Sequence, residues 1–584
     1  MEPEVFSSLL GLDIGWVNTR ASIMEAIDGK YRLLGCESAN TTLGQGLNLG
    51  SGAGDAMRQL QKQTGHLLLE KSGKLIMPDN PAERGVDRIA LTSSIGPLPH
   101  TILLGLSEMG SIRSGKMLVD SLPLSLKAAF SMEVLVDAPS IIKKLVRTQP
   151  EIIILTGGED EGAEHPLIHW IETLRIFYTL IPASIKPMLL YAGNHALEEQ
   201  IRRRLEPLAK LKIAANLQPR VGEVDLVPAK AILENEILNL IKKKLPGMAA
   251  LSAYSKDLEG TKAFGIDRMV RFLSQDIIAS SGFSTYSDIL ALDIGSENTL
   301  ISAGKNGQSG TVIKSFWRQK VIDQDEEMFE YIRRWTGLLV PMQKINQYLC
   351  HYALNPWIVP ENTWEMTILH AFTRFRLKNI IRKLSMNYSW VHFQDQKGLR
   401  TNFEPIIASG SVLTHAPNPS QTMLMLLDGL QPWGITSVMM DQHHLLPLLG
   451  IIASVAPILA IHILESDVFE TLGTVVTAVS DVPLGKVVLT VRVTTDSGKD
   501  YSLDVIQGEL RHLVIPKGVS AVLDFKPTQR TDLGFGTYGV GGQLRVVGSI
   551  LGVVIDARGR PIRLPSVEDE RVEQLQRWQW MLGS

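Results

Sequence analysis

The sequence predicts a mixed α/β protein built as two related halves and extended by a β-rich region. Three observations predict it. A strand-turn-strand pattern occurs near the N-terminus and again past residue 288. Between the two copies, apolar strands alternate with helical stretches, which implies parallel pairing. Beyond Gly473 the chain changes to alternating Val and Leu with Gly-rich turns, the signature of a small barrel or sandwich.

Bulk properties narrow the function classes. A length of 584 residues predicts more than one domain. Hydrophobic residues make up 45% and charged residues 20%, a normal globular balance. A net charge of -3 gives no basic field for nucleic acid. The two cysteines, Cys36 and Cys350, fit a reducing, cytoplasmic setting. The opening MEPEVFSSLLG carries acids where a secretory leader carries Lys or Arg, so no signal peptide is expected. Leu445 to Leu464 is uncharged and long enough to cross a bilayer. Pro447, Pro457 and His462 interrupt it, so a buried core helix is expected and no membrane span.

The first half, 1–275, opens with strands over Leu9–Ile14, Thr19–Ala26 and Tyr31–Cys36, the last two joined by an Asp28-Gly29 turn. A Rossmann-like section follows. Its strands are expected over Glu133–Val136, Glu151–Leu155 and Pro187–Tyr191, and its helices over Ser140–Arg147, His165–Leu180 and Ala196–Lys210. Pro228–Leu245 reads as a further helix, stopped by Pro246-Gly247. The second half, 276–472, repeats the opening with strands from Ile289 to Asp293-Ile294 and over Thr299–Gly304. Met328 to Leu384 reads as mostly helical, with Trp335, Trp357 and Trp364 as packing residues. Ile406–Leu413 reads as a buried strand, and helices are expected from there to Leu472. In the third region, 473–584, Val487, Leu489, Val491 and Val493 alternate onto one face. A terminal helix over Val567–Leu582 carries Val572, Leu575, Trp578 and Leu582 on one stripe.

The repeat carries the chemistry. Leu12-Asp13-Ile14-Gly15-x-x-Asn18-Thr19-x-x-Ser22 recurs as Leu292-Asp293-Ile294-Gly295-x-x-Asn298-Thr299-x-x-Ser302. Glycine lets backbone approach an anion without a Cβ in the way. Turn N–H groups can form an anion nest, and Asn and Thr add donors. A strand-end Asp would repel phosphate directly, so Asp13 and Asp293 need Mg²⁺ or water between. One copy alone is an ordinary hairpin. The matched pair reads as a clamp on a polyphosphate.

Duplicate DxGxxxT hairpins resemble those of the superfamily of actin, hexokinase and the heat-shock chaperone ATPases. Further segments, LTSSIGPLPHTILLGLSE, PEIIILTGGEDEG, PMLLYAGN and SGSVLTHAPNP, make the chain resemble the glutamate mutase L accessory family from Leu9 to Leu472. That family is unrelated to the mismatch-repair protein of similar name. The resemblance implies an actin-like, ribonuclease H-like duplicated ATPase fold binding ATP and Mg²⁺. It implies a first phosphate motif at Asp13, Gly15, Asn18 and Thr19, and a second at Asp293, Gly295, Asn298 and Thr299. It implies an adenosine motif at Ser409, Gly410 and Ser411. It also implies a partner, an adenosylcobalamin-dependent mutase, with ATP driving assistance such as cofactor exchange. Trp16, Leu300 and the short Ser409-Gly410-Ser411 run depart from the superfamily pattern. A scaffold that has lost turnover is therefore one alternative, and a small-molecule kinase or hydrolase is another.

Other segments are read against ordinary uses. Gly157-Gly158-Glu159-Asp160-Glu161 follows a strand, where ligands bind, so Gly157, Gly158 and Asp160 are candidates, Asp160 for orienting water or Mg²⁺. Ser93 and Ser94 could reach a phosphate. Asp441, His443 and His444 have poor geometry for one metal. The run Gly534 to Gly542 resembles a dinucleotide loop but has no helix after it, so tight turns are expected. Arg202-Arg203-Arg204 and Lys242-Lys243-Lys244 read as solvated faces.

Overall fold

The computed structural model describes residues 6–43, 48–78, 84–134, 137–160, 162, 165–275, 288–315, 317–466 and 468–583. The chain forms two compact units. The first comprises Met1–Thr41, Asp55–Ala90 and Gly265–Ser584, and the second Thr42–Gly54 and Leu91–Phe264.

The first unit opens with β1 (Ser8–Ile14), β2 (Asn18–Ile27) and β3 (Lys30–Asn40), an antiparallel meander. Every residue of β1 is buried, including Asp13 next to its end. Asp28 and Gly29 both take positive φ, 51° and 75°, which matches the twist a two-residue hairpin needs. The second copy forms β4 (Asp288–Ile294), β5 (Thr299–Lys305) and β6 (Gln308–Lys314). Asn306 and Gly307 repeat the same turn chemistry, at 48° and 74°.

This second meander continues into β7 (Ile406–Ser409), β8 (Gly434–Asp441), β9 (Phe469–Thr477), β10 (Leu510–Leu513) and β11 (Val553–Asp556). The eight strands lie in the order β6-β5-β4-β7-β8-β9-β11-β10. β4 pairs parallel with β7, and β7 with β8, while β5 is antiparallel to both its neighbours. The first five strands therefore run 3-2-1-4-5 in order of appearance, the arrangement of a ribonuclease H-like half in an actin-like ATPase. Gly473 lies inside β9, so residues beyond it extend this sheet as well as forming their own.

That second sheet contains Asp500–Ile506, Val487–Thr495, Ser520–Pro527 and Gly542–Val547 in spatial order. Val491, Val493, Leu523 and Phe525 pack with Val476, Val553 and Ile555 of the long sheet in one sandwich-like core. The alternation differs at one residue: Val487 is exposed and Val488 buried. A register shift between Val487 and Leu489 adds a residue there, which flips the facing of the strand's first position.

Helices of this unit include α1 (Thr363–Asn387), α2 (Pro419–Leu430) and α5 (Glu568–Met581), while α3 (Leu446–Ile452) and α4 (Pro457–Leu464) pack on β1 and β3 of the first meander. The Asn362 side chain caps α1 by accepting from the Glu365 N–H at 3.1 Å. On α5, Leu575 and Trp578 are buried, as is Leu582 just beyond it. Trp335 is buried too, whereas Trp357 stands in solvent and does not pack. The apolar run 445–464 is not one helix. It breaks between α3 and α4, because Pro457 has no N–H to continue the first and suits the start of the second. No described helix is long and apolar enough to cross a membrane. Two further expectations shift. The stretch read as helical to Leu472 contains β8 and the start of β9. The strand expected to reach Leu413 stops at Ser409, where Gly410 turns the chain at φ +98° into a helical turn, Ser411–Thr414.

A buried charge network ties α1 and α2 to the end of β11. Asp428 of α2 accepts from Arg374 Nε of α1 and from Arg558 Nη1, each at 2.7 Å. Arg558 also donates to Asp556 at 2.9 Å, and Arg560 donates to Asp556 at 3.1 Å. Burial alone would raise the Asp556 carboxyl, but the Arg558 and Arg560 charges hold it far below its ordinary range.

The second unit is a parallel sheet with strands Ser125–Ser131, His100–Gly105, Ile152–Leu155, Met188–Tyr191 and Lys210–Ile213 in spatial order. This is the 2-1-3-4-5 order of a doubly wound sheet. Helices Ala138–Thr148, His165–Leu180 and Glu198–Leu205 supply its core with Ile141, Leu145, Trp170, Leu174 and Ile201. The strand expected over Glu133–Val136 lies earlier, at Ser125–Ser131; residues 135 and 136 are outside the described residues. The helix expected to reach Lys210 ends at Leu205, and Lys210 opens the edge strand. Val227–Lys244 is helical, close to the expected span.

Two stability predictions follow from buried charge. Arg558→Ala leaves Asp428 and Asp556 buried without their shared cation and should cost about 3–5 kcal/mol, read as a lowered urea midpoint at unchanged slope. His370 of α1 is buried, and burial, aided by the Arg374 charge, pushes its pKa from 6.5 down to about 3. The unfolded chain binds that proton near pH 6.5 and the folded chain does not. Stability should therefore be complete above pH 6.5 and fall by about 1.4 kcal/mol per pH unit toward pH 3. Denaturation across that window should show a shallower slope for His370→Gln.

Candidate functional site

Both copies of the repeat end a buried strand at an aspartate and turn back within a few residues. Asp13 is 1% exposed and Asp293 4%, so each carboxylate sits inside the fold. The registers match: Asp13 opposes Arg20 and Ile14 opposes Thr19, as Asp293 opposes Leu300 and Ile294 opposes Thr299. In each turn the glycine N–H donates to the asparagine carbonyl, Gly15 to Asn18 and Gly295 to Asn298, both at 3.0 Å. The glycine N–H therefore closes the turn and is not a nest donor. A Cβ on Gly15 would lie 2.8 Å from the Asn18 oxygen, so the tight turn requires glycine.

What holds the two turns differs. In the first, Thr41 Oγ1 donates to the Gly15 carbonyl at 2.8 Å and lies 2.9 Å from Thr19 Oγ1. In the second, Arg376 of α1 takes both roles. Its Nε donates to Thr299 Oγ1 at 2.7 Å, and its Nη2 to the Gly295 and Asn298 carbonyls at 2.8 Å each. Burial lowers the Arg376 pKa, opposed by Tyr352, Asp293 and Glu297. Glu297, inside the second turn, is raised by burial and opposed by Arg318, 2.6 Å away, and by Arg376. In the first copy the charge near the aspartate comes from Arg20, 4.0 Å from Asp13.

The parallel strands bring three polar ends side by side. Asp293, one residue before the end of β4, lies opposite Ser409 of β7, and Asp441 ends the neighbouring β8. Ser409 Oγ lies 3.3 Å from Asp441 and 3.2 Å from His444 Nδ1. Asp441 also accepts from the Leu445 and Leu446 N–H groups at 2.8 and 3.1 Å. Gly410 follows Ser409, and a Cβ there would fall 2.4 Å from backbone atoms of Ile294. Only glycine lets this strand end press against the second turn. Ser411 begins the helical turn beyond it. The first turn reaches the same neighbourhood. Cys36 of β3 lies 3.8 Å from the His443 carbonyl. Its thiol is pushed up to about 12, first by burial and then by Asp441 and Asp13, against Arg20.

Asp160, Gly157 and Gly158 belong to the second unit. Asp160 Oδ1 accepts from the His195 N–H at 3.1 Å and from Asn216 at 3.0 Å. Asn216 also donates to the Gly158 carbonyl at 2.9 Å. A Cβ on Gly193 would lie 2.6 Å from the Gly157 carbonyl oxygen. These residues brace the loops after three parallel strands. Glu161 is outside the described residues. Ser93 is buried and bonds locally to Ile95. Among the described residues no three His, Cys, Asp or Glu side chains converge on a metal position, Asp441, His443 and His444 included. The Gly534 to Gly542 run leads into a strand, and Gly534 is pressed against Gly434. Arg202 and Arg203 pair along their helix with Glu198 and Glu199, and Arg204 pairs with Glu172.

Sequence reasoning missed Arg376, Glu297, Arg318 and Arg20. Arg20 and Glu297 lie within the repeat, where comparison of the copies shows Arg20 against Leu300 and Glu297 against Val17. Arg376 reaches its turn from 77 residues away, and no local pattern marks it.

Residues 9–468 match the family model described as MutL protein. No curated protein matches the chain. Among solved structures, acetone carboxylase in a nucleotide-free structure is 11% identical, covering 77% of this chain and 70% of its own, at TM-score 0.30. Xylulose kinase from Bifidobacterium adolescentis is 11% identical, covering 77% and 94%, at 0.27. An exopolyphosphatase from Cytophaga hutchinsonii is 10% identical, covering 78% and 87%, at 0.20. Likenesses at that level carry no argument, and the fold rests on the strand order above. The family match spans most of the chain, and this protein belongs to the MutL family named for glutamate mutase L.

Proposed function

We propose that the chain binds ATP with Mg²⁺ at its matched turns and acts as an accessory protein to an adenosylcobalamin-dependent mutase. The observation that carries the nucleotide reading is the repeated buried Asp-Gly turn with a third strand end, at Gly410, pressed against the second copy. In this reading Asp13 and Asp293 hold Mg²⁺ through water, and the ion when bound neutralises phosphate charge. Gly15, Asn18 and Thr19 in the first turn, and Gly295, Asn298 and Thr299 in the second, would face the phosphates from two sides. Ser409, Gly410 and Ser411 would receive the adenosine, the close approach of Gly410 to Ile294 setting that strand end beside the second turn. The residues fit such a group. Two buried carboxylates and tight glycine turns suit a hydrated cation and an anion, since phosphoryl chemistry needs mainly positioning and charge neutralisation. Asp160 is left out of the catalytic set, because its carboxylate already braces a loop. Family membership supports the mutase partner, and a cytoplasmic setting goes with it.

A second reading, nucleotide binding without turnover, draws on the asymmetry of the copies. Leu300 stands opposite Asp293, and Trp16 is 37% exposed in the first turn. Phosphate release without added substrate separates the two readings. Transfer to a small acceptor would instead indicate a kinase.

Calorimetric titration of Mg-ATP should show binding to the unmutated chain and none to Asp13→Ala. An unmutated chain that takes up no Mg-ATP would overturn the reading. Gly410→Ala should cost at least about tenfold in Mg-ATP affinity, because a Cβ at φ +98° is strained and meets the Ile294 backbone.

A further inference from the structure

The two turns share a sequence pattern, but their hydroxyl groups are set differently. Thr41 has a single hydroxyl hydrogen, and it goes to the Gly15 carbonyl. The bond between Thr19 and Thr41 must then run from Thr19 to Thr41. Thr19 therefore uses its one hydrogen inside the protein and is left with lone pairs. Thr299 is the reverse. It accepts from Arg376 Nε, so its own hydrogen remains for donation. A phosphate oxygen accepts hydrogen bonds and repels lone pairs.

Arg376 also sets the direction of the second turn. Its Nη2 spans the Gly295 and Asn298 carbonyls. In a trans peptide the following N–H points opposite the carbonyl. Clamping the Gly295 oxygen thus fixes where the Ser296 N–H points, away from the guanidinium. Arg376 is 3% exposed, and its remaining Nη1 is buried with no hydrogen-bond partner. A buried guanidinium with an open donor favours an anion nearby.

We propose that Arg376 is the positioning residue of the site and makes the second turn, through Thr299, the principal donor to the phosphates. The first turn then serves mainly through Asp13 and Arg20. The inference rests on the nucleotide reading and deepens it, since it names which hydroxyl faces the anion as a donor and what holds it there.

The test uses the full chain, with Mg-ATP and adenosine as probes in calorimetry. Thr299→Val should weaken Mg-ATP binding by about tenfold or more, the worth of a hydrogen bond to a charged group. Thr299→Ser, which keeps the hydroxyl, should restore it. The loss at Thr299→Val should clearly exceed that at Thr19→Val. Arg376→Gln should lower the affinity for Mg-ATP relative to adenosine, a ratio that a purely structural role would leave alone. Equal losses at the two threonines, or an unchanged ratio in Arg376→Gln, would overturn the inference while the nucleotide reading stands. If Arg376→Gln fails to fold by circular dichroism, the threonine pair with its serine rescue decides. Absence of Mg-ATP binding by the unmutated chain would overturn both.

Discussion

A helix that crosses an apolar core cannot carry arginines unless each finds an anion or carbonyls, because an unpaired buried charge costs several kcal/mol. α1 carries two. Arg374 and Arg376 are separated by ~200° around the helix at 100° per residue, so they leave it on opposite sides. One reaches Asp428, and through it Arg558 and Asp556 near the end of β11. The other reaches the turn between β4 and β5. The helix has little freedom to rotate or slide without stripping one of them. The candidate site and the C-terminal strands are therefore fastened to one rigid element.

That fastening joins the C-terminal region to the same sheet and helix as the second turn. Its strands β10 and β11 extend the sheet whose other end bears the second turn of the repeat. Its terminal helix sets Trp578 against the buried Arg558, with the guanidinium 4.8 Å from the ring centre. The duplicated hairpins are alike in backbone and unlike in side chains. The first turn is held by a neutral hydroxyl pair, whereas a buried cation holds the second. The two copies thus share a backbone and differ in what holds it.

The strands and their turns were legible because their signals are local. Asp28-Gly29 and Asn306-Gly307 need positive φ, and their residue types show it. The repeat was visible because burial demands apolar residues up to Asp13 and Asp293, and tight reversal demands Gly15. Errors arose where a distant partner decided the outcome. The run 445–464 reads as one helix by hydropathy. It folds as two because Pro457 has no N–H to continue the first helix and starts a new one. Val487 fits a clean alternation until the bulge moves it outward. β8 was hidden inside a helical reading because its pairing with β7 and β9 is long-range.

Residue types alone determined the duplicated α/β plan, the matched Asp-Gly turns and the family, since each depends on short segments whose meaning does not change with context. The tertiary structure alone decided which hydroxyl keeps a hydrogen to donate, that Arg376 and not a neighbour in sequence clamps the second turn, and that Gly410 meets Ile294. Those are properties of atoms brought together across tens to hundreds of residues. Hydrogen-bond direction and close packing exist only once the chain has placed both partners.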